Sequence, residues 1–375
     1  MMLRGTQKFP IAVPYEKSIE IYKLLAQTNK IIGKLDMLFE RSIINKSMIS
    51  ILSYHESVQS TRIEGTQVTF HEILENKEKT NLSWQQQEVI NYRHAIDYGF
   101  SAISQGNSIS SRMLKEIHKI LMTKARGTTA NGGEFRKIQN FIGPDNKIEN
   151  ATYIPVNANE IGEYMSNLEY FINGQPHVSF SNERKENFDY YTFDSDPLLR
   201  IALAHAQFES IHPFLDGNGR LGRILIALMA VQEGIMSVPL FFVSEELEKE
   251  RIRYYNALNS TRGDSPSWET WIEFFLRCSG KMAENLILKI EAAESVAADG
   301  LSLCTTETHK NVWLTTFSDP VLTAAEVSNK LKIHSTTAKK ALDYLVSHKL
   351  LDKDLSAKRN VKYYNYGLLS ALKIN

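Results

Sequence analysis

Apolar positions recur at helical spacing along most of the chain. From Tyr15 to about Leu52 they fall three and four apart, as Ile19, Ile21, Leu24 and Leu25, then Ile31, Ile32, Leu35 and Leu38. A second helical stretch runs from about Trp84 to Ile103. A third starts near Ser108 and places Ile109, Met113, Ile117, Ile120 and Leu121 on one face, with Gly127 as its stop and a polar loop around Gly132 and Gly133. Lys137 to Val156 reads as a hairpin-like flap around a Gly-Pro-Asp-Asn turn at Gly143 to Asn146, the clearest strand signal before residue 300. Gly174 to Ser195 is polar and aromatic without period, which predicts a long surface loop. Helix resumes at Pro197, a favoured first-turn residue, and runs to about Ile211; another follows from about Gly219 to Glu233, stopped by Gly234. Helical spacing then continues to about Ala298.

The end of the chain reads as a separate unit. Asp299-Gly300 and the Ser/Thr-rich stretch from Cys304 to Thr308 suggest a linker. Thr323 with Glu326 makes a capping box for a short helix to Leu331, and a turn leads to a second helix ending near His348. Val361 to Tyr366 suggests a small hairpin. The pattern predicts a mainly α protein in three parts: residues 1–105, 106–298 and 305–375.

Composition narrows the function classes. The 375 residues are 43% hydrophobic and 23% charged, ordinary globular values that exclude a disordered or fibrous chain. Lysine plus arginine equals aspartate plus glutamate at 43 each, which argues against a surface built wholly to bind polyanions. Cys278 and Cys304 carry no metal-like spacing. No leader pattern and no apolar run of membrane-spanning length is present, so the expected location is the cytoplasm, with no membrane partner.

The chemistry concentrates in His212-Pro-Phe-Leu-Asp-Gly-Asn-Gly-Arg-Leu-Gly-Arg223. Pro213 forces His212 out of helical conformation and ends the preceding helix. Gly217 and Gly219 permit a tight loop of inward amides opening straight into a helix, whose N-terminus attracts anions. Arg220 and Arg223 lie three apart, on one helix face, and suit an oligophosphate. Asp216 is a hard oxygen ligand of the kind magnesium takes beside phosphates. His212 is the nearby group able to take a proton near neutral pH.

This run resembles the Fic motif, His-Pro-Phe-x-Asp/Glu-Gly-Asn-Gly-Arg-x-x-Arg, with every fixed position met. The resemblance, over roughly residues 10 to 290, implies a Fic-type helical core with a β-hairpin flap. It implies a protein adenylyltransferase moving AMP from ATP onto a hydroxyl side chain (Ser, Thr or Tyr) of a target protein, itself included. His212 would be the general base and Asp216 the Mg2+ ligand. Gly217, Asn218, Gly219, Arg220, Leu221, Gly222 and Arg223 would bind the nucleotide, with Tyr255 near the adenine, and Phe214 would anchor the loop. Related phosphate-transferring Doc proteins carry Lys where this chain has Gly219. Arg262 stands where an Asn often precedes Gly-Asp. Upstream, Ser60-Thr-Arg-Ile-Glu64-Gly65 resembles the inhibitory motif of Fic proteins whose brake precedes the core, which implies that Ser60 and Glu64 are inhibitory residues and that Glu64 pairs with Arg223 and blocks productive ATP binding. Gly132-Gly-Glu-Phe-Arg136 and Ala151-Thr-Tyr-Ile-Pro-Val156 resemble the elements flanking and forming the flap.

The last part, residues 305–375, resembles a winged helix-turn-helix. From Thr305 to Asn375 eleven basic residues stand against six acidic ones, with Lys339 and Lys340 on the second helix and Lys358, Arg359 and Lys362 on the wing. This suits duplex DNA or a protein partner. Alternatives to AMP transfer are removal of AMP by the same residues and an ATP-sensing regulator acting through the winged helix; self-association into a homodimer is a further expectation.

Overall fold

In the computed structural model, which describes residues 2–76, 82–124, 132–145, 147–180, 185–357 and 359–373, the periodic segments form helices joined by few and short strands. Two edge strands, β1 (Leu3–Arg4) and β2 (Ile11–Pro14), precede α1 (Tyr15–Arg41), α2 (Asn45–Ile63), α3 (Phe70–Asn76), α4 (Trp84–Ser104) and α5 (Ser111–Leu121). Then come β3 (Tyr153–Ile154), α6 (Ile161–Ile172), β4 (Phe188–Tyr191), α7 (Pro197–Ile211), α8 (Asn218–Gln232), α9 (Ser244–Lys249), α10 (Arg251–Asn259) and α11 (Trp268–Leu303). The C-terminal part holds α12 (Glu307–Thr315), β5 (Val321–Thr323), α13 (Ala324–Leu331), α14 (Ser335–Ser347), β6 (Asp352–Lys353), β7 (Lys362–Tyr364) and α15 (Tyr366–Ala371). No helix among the described residues is long and apolar enough to cross a membrane.

The core is organised around α7 and α8. Every residue of α7 from Leu198 to Ile211 is buried, as is every residue of α8 from Arg220 to Ala230. A helix buried on all sides must be surrounded, and α1, α4, α6 and α11 do so. α1 turns Ile21, Leu25, Ile32, Leu35 and Phe39 inward and lies along α11. The α7–α8 connection, which holds the motif, therefore emerges from the middle of the core.

Several expectations change. The first helical stretch divides at Ser42–Ile44, where Ser42 is extended and its hydroxyl accepts the Ile44 amide (3.3 Å), and helix then continues to Ile63. The amphipathic pattern fades there because α2 buries polar groups, among them Ser53, Glu56, Ser57, Ser60 and Thr61. The segment read as loop from Gly174 contains β4, which pairs antiparallel with β2 from Ile11↔Tyr191 to Pro14↔Phe188. The expected linker at Asp299-Gly300 is helical, because α11 continues to Leu303; a side chain at Gly300 would run into the buried Trp313 ring. In the flap, Ile142 bridges Tyr153 antiparallel, and β3 pairs parallel with β1. The C-terminal strands form a small antiparallel sheet in the order β5-β7-β6 beside α12 to α14. Gly127, Asn146 and Lys358 lie outside the described residues.

Candidate functional site

The motif loop is held in one shape from both ends. Pro213 bars the helix from continuing, and His212 closes α7 in the left-handed region (φ 49°). Asn218 clasps the loop: its side chain accepts the Phe214 amide and donates to the Phe214 carbonyl, both at 2.9 Å. Phe214 is fully buried and stacks on His118, whose ring bonds the Asp216 carbonyl (2.9 Å) and accepts the Gly133 amide (2.9 Å). Arg136, from the Gly-Glu-Phe-Arg segment, donates to the carbonyls of His212 (2.9 Å), Ile138 (3.1 Å) and Val156. One guanidinium thus fixes the flap's two ends to the motif.

His212 is prepared as a neutral acceptor. Its Nδ1 faces the Glu209 carbonyl at 3.3 Å, which assigns the proton to Nδ1 and leaves Nε2 with its lone pair. Burial and the nearby Arg262 guanidinium push its pKa down to about 4. Arg262 is itself buried and donates to Ser210 Oγ (3.2 Å), Asn259 Oδ1 (2.8 Å) and the Glu209 carbonyl (3.2 Å), while its guanidinium stacks over the Tyr153 ring. It binds the end of α7 to the flap strand and to the end of α10.

His212 opens on a cavity of about 790 Å³ shared with Glu64, Gly219, Arg223, Glu209 and Tyr255. That size suits a nucleotide. Gly217 caps α8 in the left-handed region (φ 79°) and supplies no side-chain acceptor. Its own amide is spent on Asp216 Oδ1 (2.6 Å), and that of Leu221 on the Gly217 carbonyl (3.0 Å). The amides of Asn218, Gly219 and Arg220 are the first-turn donors left for an anion. The anion present is the Glu64 carboxylate. Its Oε1 accepts from Arg223 Nη2 at 2.6 Å and crowds Gly219 so closely that a Cβ there would collide with it. Arg223 is 1% exposed in its side chain and also donates to Ser60 Oγ (2.8 Å) and the Ser60 carbonyl (3.0 Å). Burial opposes a charge on Arg223, yet the facing Glu64 carboxylate outweighs it and raises the pKa; Glu64 is held down in turn, against burial, by Arg223. Gly65, at φ 94°, ends the helix that carries Ser60 and turns the chain away.

The remaining predicted residues separate. Arg220 does not line the cavity: its Nη1 is 3.5 Å from Glu88 and its Nη2 3.8 Å from Asp216, on the side of Met122. Three residues along a helix leave the two arginines about 60° apart on one side of α8, so it is their different partners, Glu88 and Asp216 against Glu64 and Ser60, that draw the guanidinium groups apart. Leu221 is core, and Gly222 packs its α-carbon against His205 and the Glu209 carboxyl, so neither faces a ligand. Asp216 projects with 60% of its side chain exposed. Among the described residues no cluster of three His, Cys, Asp or Glu side chains is arranged for a metal. A lone exposed carboxylate fits magnesium, which takes most of its ligands from phosphates and water. Glu209, Arg262 and Arg136 escaped the sequence reading as site residues. For Glu209 a signal existed, since an acid inside an unbroken buried helix is costly unless it has a use.

Comparison with known proteins agrees with this architecture. The Fic/DOC family model matches residues 108–230, and the Fic/DOC family N-terminal model matches residues 22–101. The chain is 25% identical over 195 residues to the protein adenylyltransferase Fic of Drosophila erecta, covering 52% of this chain and 32% of that protein. It is 24% identical over 195 residues to the namesake of Drosophila grimshawi, with 52% and 33% covered. The match therefore spans about a third of the length of these relatives. Among solved structures, a Fic family protein from Desulfovibrio desulfuricans superposes with a TM-score of 0.52 at 20% identity, covering 92% of this chain and 95% of that one. Fic-1 from Caenorhabditis elegans gives 0.51 at 18% identity over 72% of each chain. Both structural likenesses concern the fold. With two models of one family together matching more than half of the residues, and the motif folded as a helix-capping loop between α7 and α8, the chain belongs to the Fic/DOC family.

Proposed function

We propose that the protein is an autoinhibited protein adenylyltransferase that transfers AMP from ATP to a hydroxyl side chain of a protein. The observation that carries this reading is the Glu64 carboxylate lying over Gly219 and bound to Arg223: a side chain of the protein occupies the anion position at the N-terminus of α8. With Glu64 withdrawn, the same donors face a triphosphate. The target oxygen attacks the α-phosphorus, and neutral His212 Nε2 accepts the hydroxyl proton. The bond to the bridging oxygen breaks, and pyrophosphate leaves with the electron pair. The negative phosphates beside His212 raise its pKa as it takes that proton. The first-turn amides of α8 and Arg223 stabilise charge on the leaving group. Magnesium, held through Asp216 and the phosphates, would add charge neutralisation there.

The flap edge at Ile142 and Tyr153 supplies the strand against which a target segment, in another protein or a second copy in a homodimer, would lie. At the C-terminus, exposed Lys339 and Lys340 on α14 are the candidate contacts to duplex DNA; Lys362 is engaged elsewhere, donating to the Glu75 carbonyl (2.9 Å). The test is incubation with ATP labelled in the α-phosphate. Glu64→Gly labels itself or a target, and Glu64→Gly/His212→Ala retains ATP affinity but labels at least a hundredfold more slowly. Equal labelling by the two variants overturns the assignment of His212. Loss of label from a pre-modified target, without gain, points to the reverse reaction.

A further inference from the structure

Glu209 has no role in the scheme above, yet it faces the same cavity as Arg223 and His212. The residue is 5% exposed, and its Oε1 is buried without a hydrogen-bond partner. Gly222 leaves it room, since a Cβ at Gly222 would collide with that oxygen. The groups around it do not satisfy it. On α8, Arg223 is committed to Ser60 and Glu64. At the end of α10, Arg262 reaches the Glu209 carbonyl rather than its carboxyl. Tyr254, on α10, bonds His205 Nε2 at 2.9 Å; His205 Nδ1 is on the Gly222 carbonyl, which makes the phenol the donor and leaves that histidine neutral. On its own helix, His212 meets only the backbone of Glu209.

We infer that Glu209 is a proton-linked positioning residue of the nucleotide site: its carboxyl takes up a proton when a polyphosphate replaces Glu64 at Arg223, and as a neutral acid it donates the hydrogen bond that its buried oxygen lacks in the closed state. This rests on the reading of the cavity as a nucleotide pocket. In the closed state Glu64 already holds the Arg223 guanidinium in contact, and the Glu209 carboxyl lines the same cavity. Burial raises the Glu209 carboxyl, Arg223 lowers it, Glu64 raises it again and Arg262 lowers it, with a net value of about 7. A triphosphate brings more negative charge than the Glu64 carboxylate it displaces, so an ionised Glu209 beside it is disfavoured further. Glutamine can mimic the neutral acid in shape and as a donor, but it cannot be ionised.

The test measures ATP affinity of the full chain by calorimetry, comparing Glu64→Gly with Glu64→Gly/Glu209→Gln. Comparison of the two cancels ATP's own titration. Between pH 6 and pH 8 the Kd of the Glu64→Gly chain rises at least tenfold relative to that of the double variant. At pH 8, runs in two buffers of different ionisation enthalpy show the Glu64→Gly chain taking up close to one proton more than the double variant. A pH-independent ratio, or equal proton uptake, overturns the inference while leaving the nucleotide reading in place. Failure of both chains to bind ATP at any pH overturns both. Should the double variant not fold, the proton uptake of Glu64→Gly alone, corrected for the nucleotide's known titration, decides: none at pH 8 is fatal to the inference.

Discussion

Replacing Glu64 by glycine removes the partner of Arg223 and vacates the position over Gly219. The pair meets at 2.6 Å, with 1% of the Arg223 side chain and 35% of the Glu64 side chain exposed. At an effective dielectric constant of about 20 the attraction of unit charges near contact is about 4 kcal/mol. Solvent on the Glu64 side screens part of it, and the cost of burying Arg223 is borne equally by the pair and by a phosphate complex. About 2 kcal/mol of competition remains for an incoming phosphate to overcome, which corresponds to roughly thirtyfold in the Kd of ATP. Calorimetric titration should show that gain in Glu64→Gly. Glu64→Gln, which keeps the volume and loses the charge, should fall between the two. Without nucleotide, Arg223 keeps only the Ser60 acceptors, so the Tm of Glu64→Gly drops by a few degrees, and saturating ATP restores it. An ATP affinity within twofold of the parent chain would show that Glu64 does not hold the phosphate position, and the reasoning about the brake would be wrong.

Three further outcomes follow from the same contacts. Asn218→Ala strands the buried amide of Phe214, whose carbonyl keeps the Asn140 donor (3.2 Å), and should cost about 1.5 kcal/mol in urea unfolding; a loss below 0.5 kcal/mol would deny the clasp its role. Acid stability should fall between pH 6.5 and 5. Burial holds His55 and His205 down to about 3 and His118 and His212 to about 4, so their contribution is complete above the unfolded histidine value and shrinks as pH drops. Glu56 and Glu209, raised to about 7, act in the opposite sense, but two groups do not offset four. A Tm at pH 5 equal to that at pH 7 would contradict this. If α14 contacts duplex DNA, affinity in a fluorescence titration declines steeply with salt, and Lys339→Ala/Lys340→Ala reduces the logarithmic salt slope by about two; a salt-insensitive or absent signal removes DNA from the partners.

Local chemistry written within a few residues was legible in the chain. Pro213 dictates the end of α7 at His212, and Gly217 dictates a left-handed turn that opens α8, because these conformational limits belong to the residues themselves. The capping box at Thr323 and Glu326 formed as written for the same reason. The pairing of Glu64 with Arg223, 159 positions apart, was legible only through family resemblance, since spacing on α2 alone describes an ordinary helix end.

The sequence by itself determined the helical class, the loop that aims amides at one point, and the presence of an imidazole beside it. The tertiary structure alone decided that Arg223 turns into the cavity while Arg220 turns to Glu88, that Arg136 ties the flap to the motif, and that an acid in the last turn of α7 lines the cavity with one carboxyl oxygen unpaired. It also decided that β2 pairs with β4 across more than 170 residues, and that α11 runs through the segment whose composition reads as a linker. Backbone conformation is fixed by neighbours in the chain. The direction of a long charged side chain, and the partner of a short strand, are fixed by which distant groups share the space, and a pattern of residue types carries no record of that.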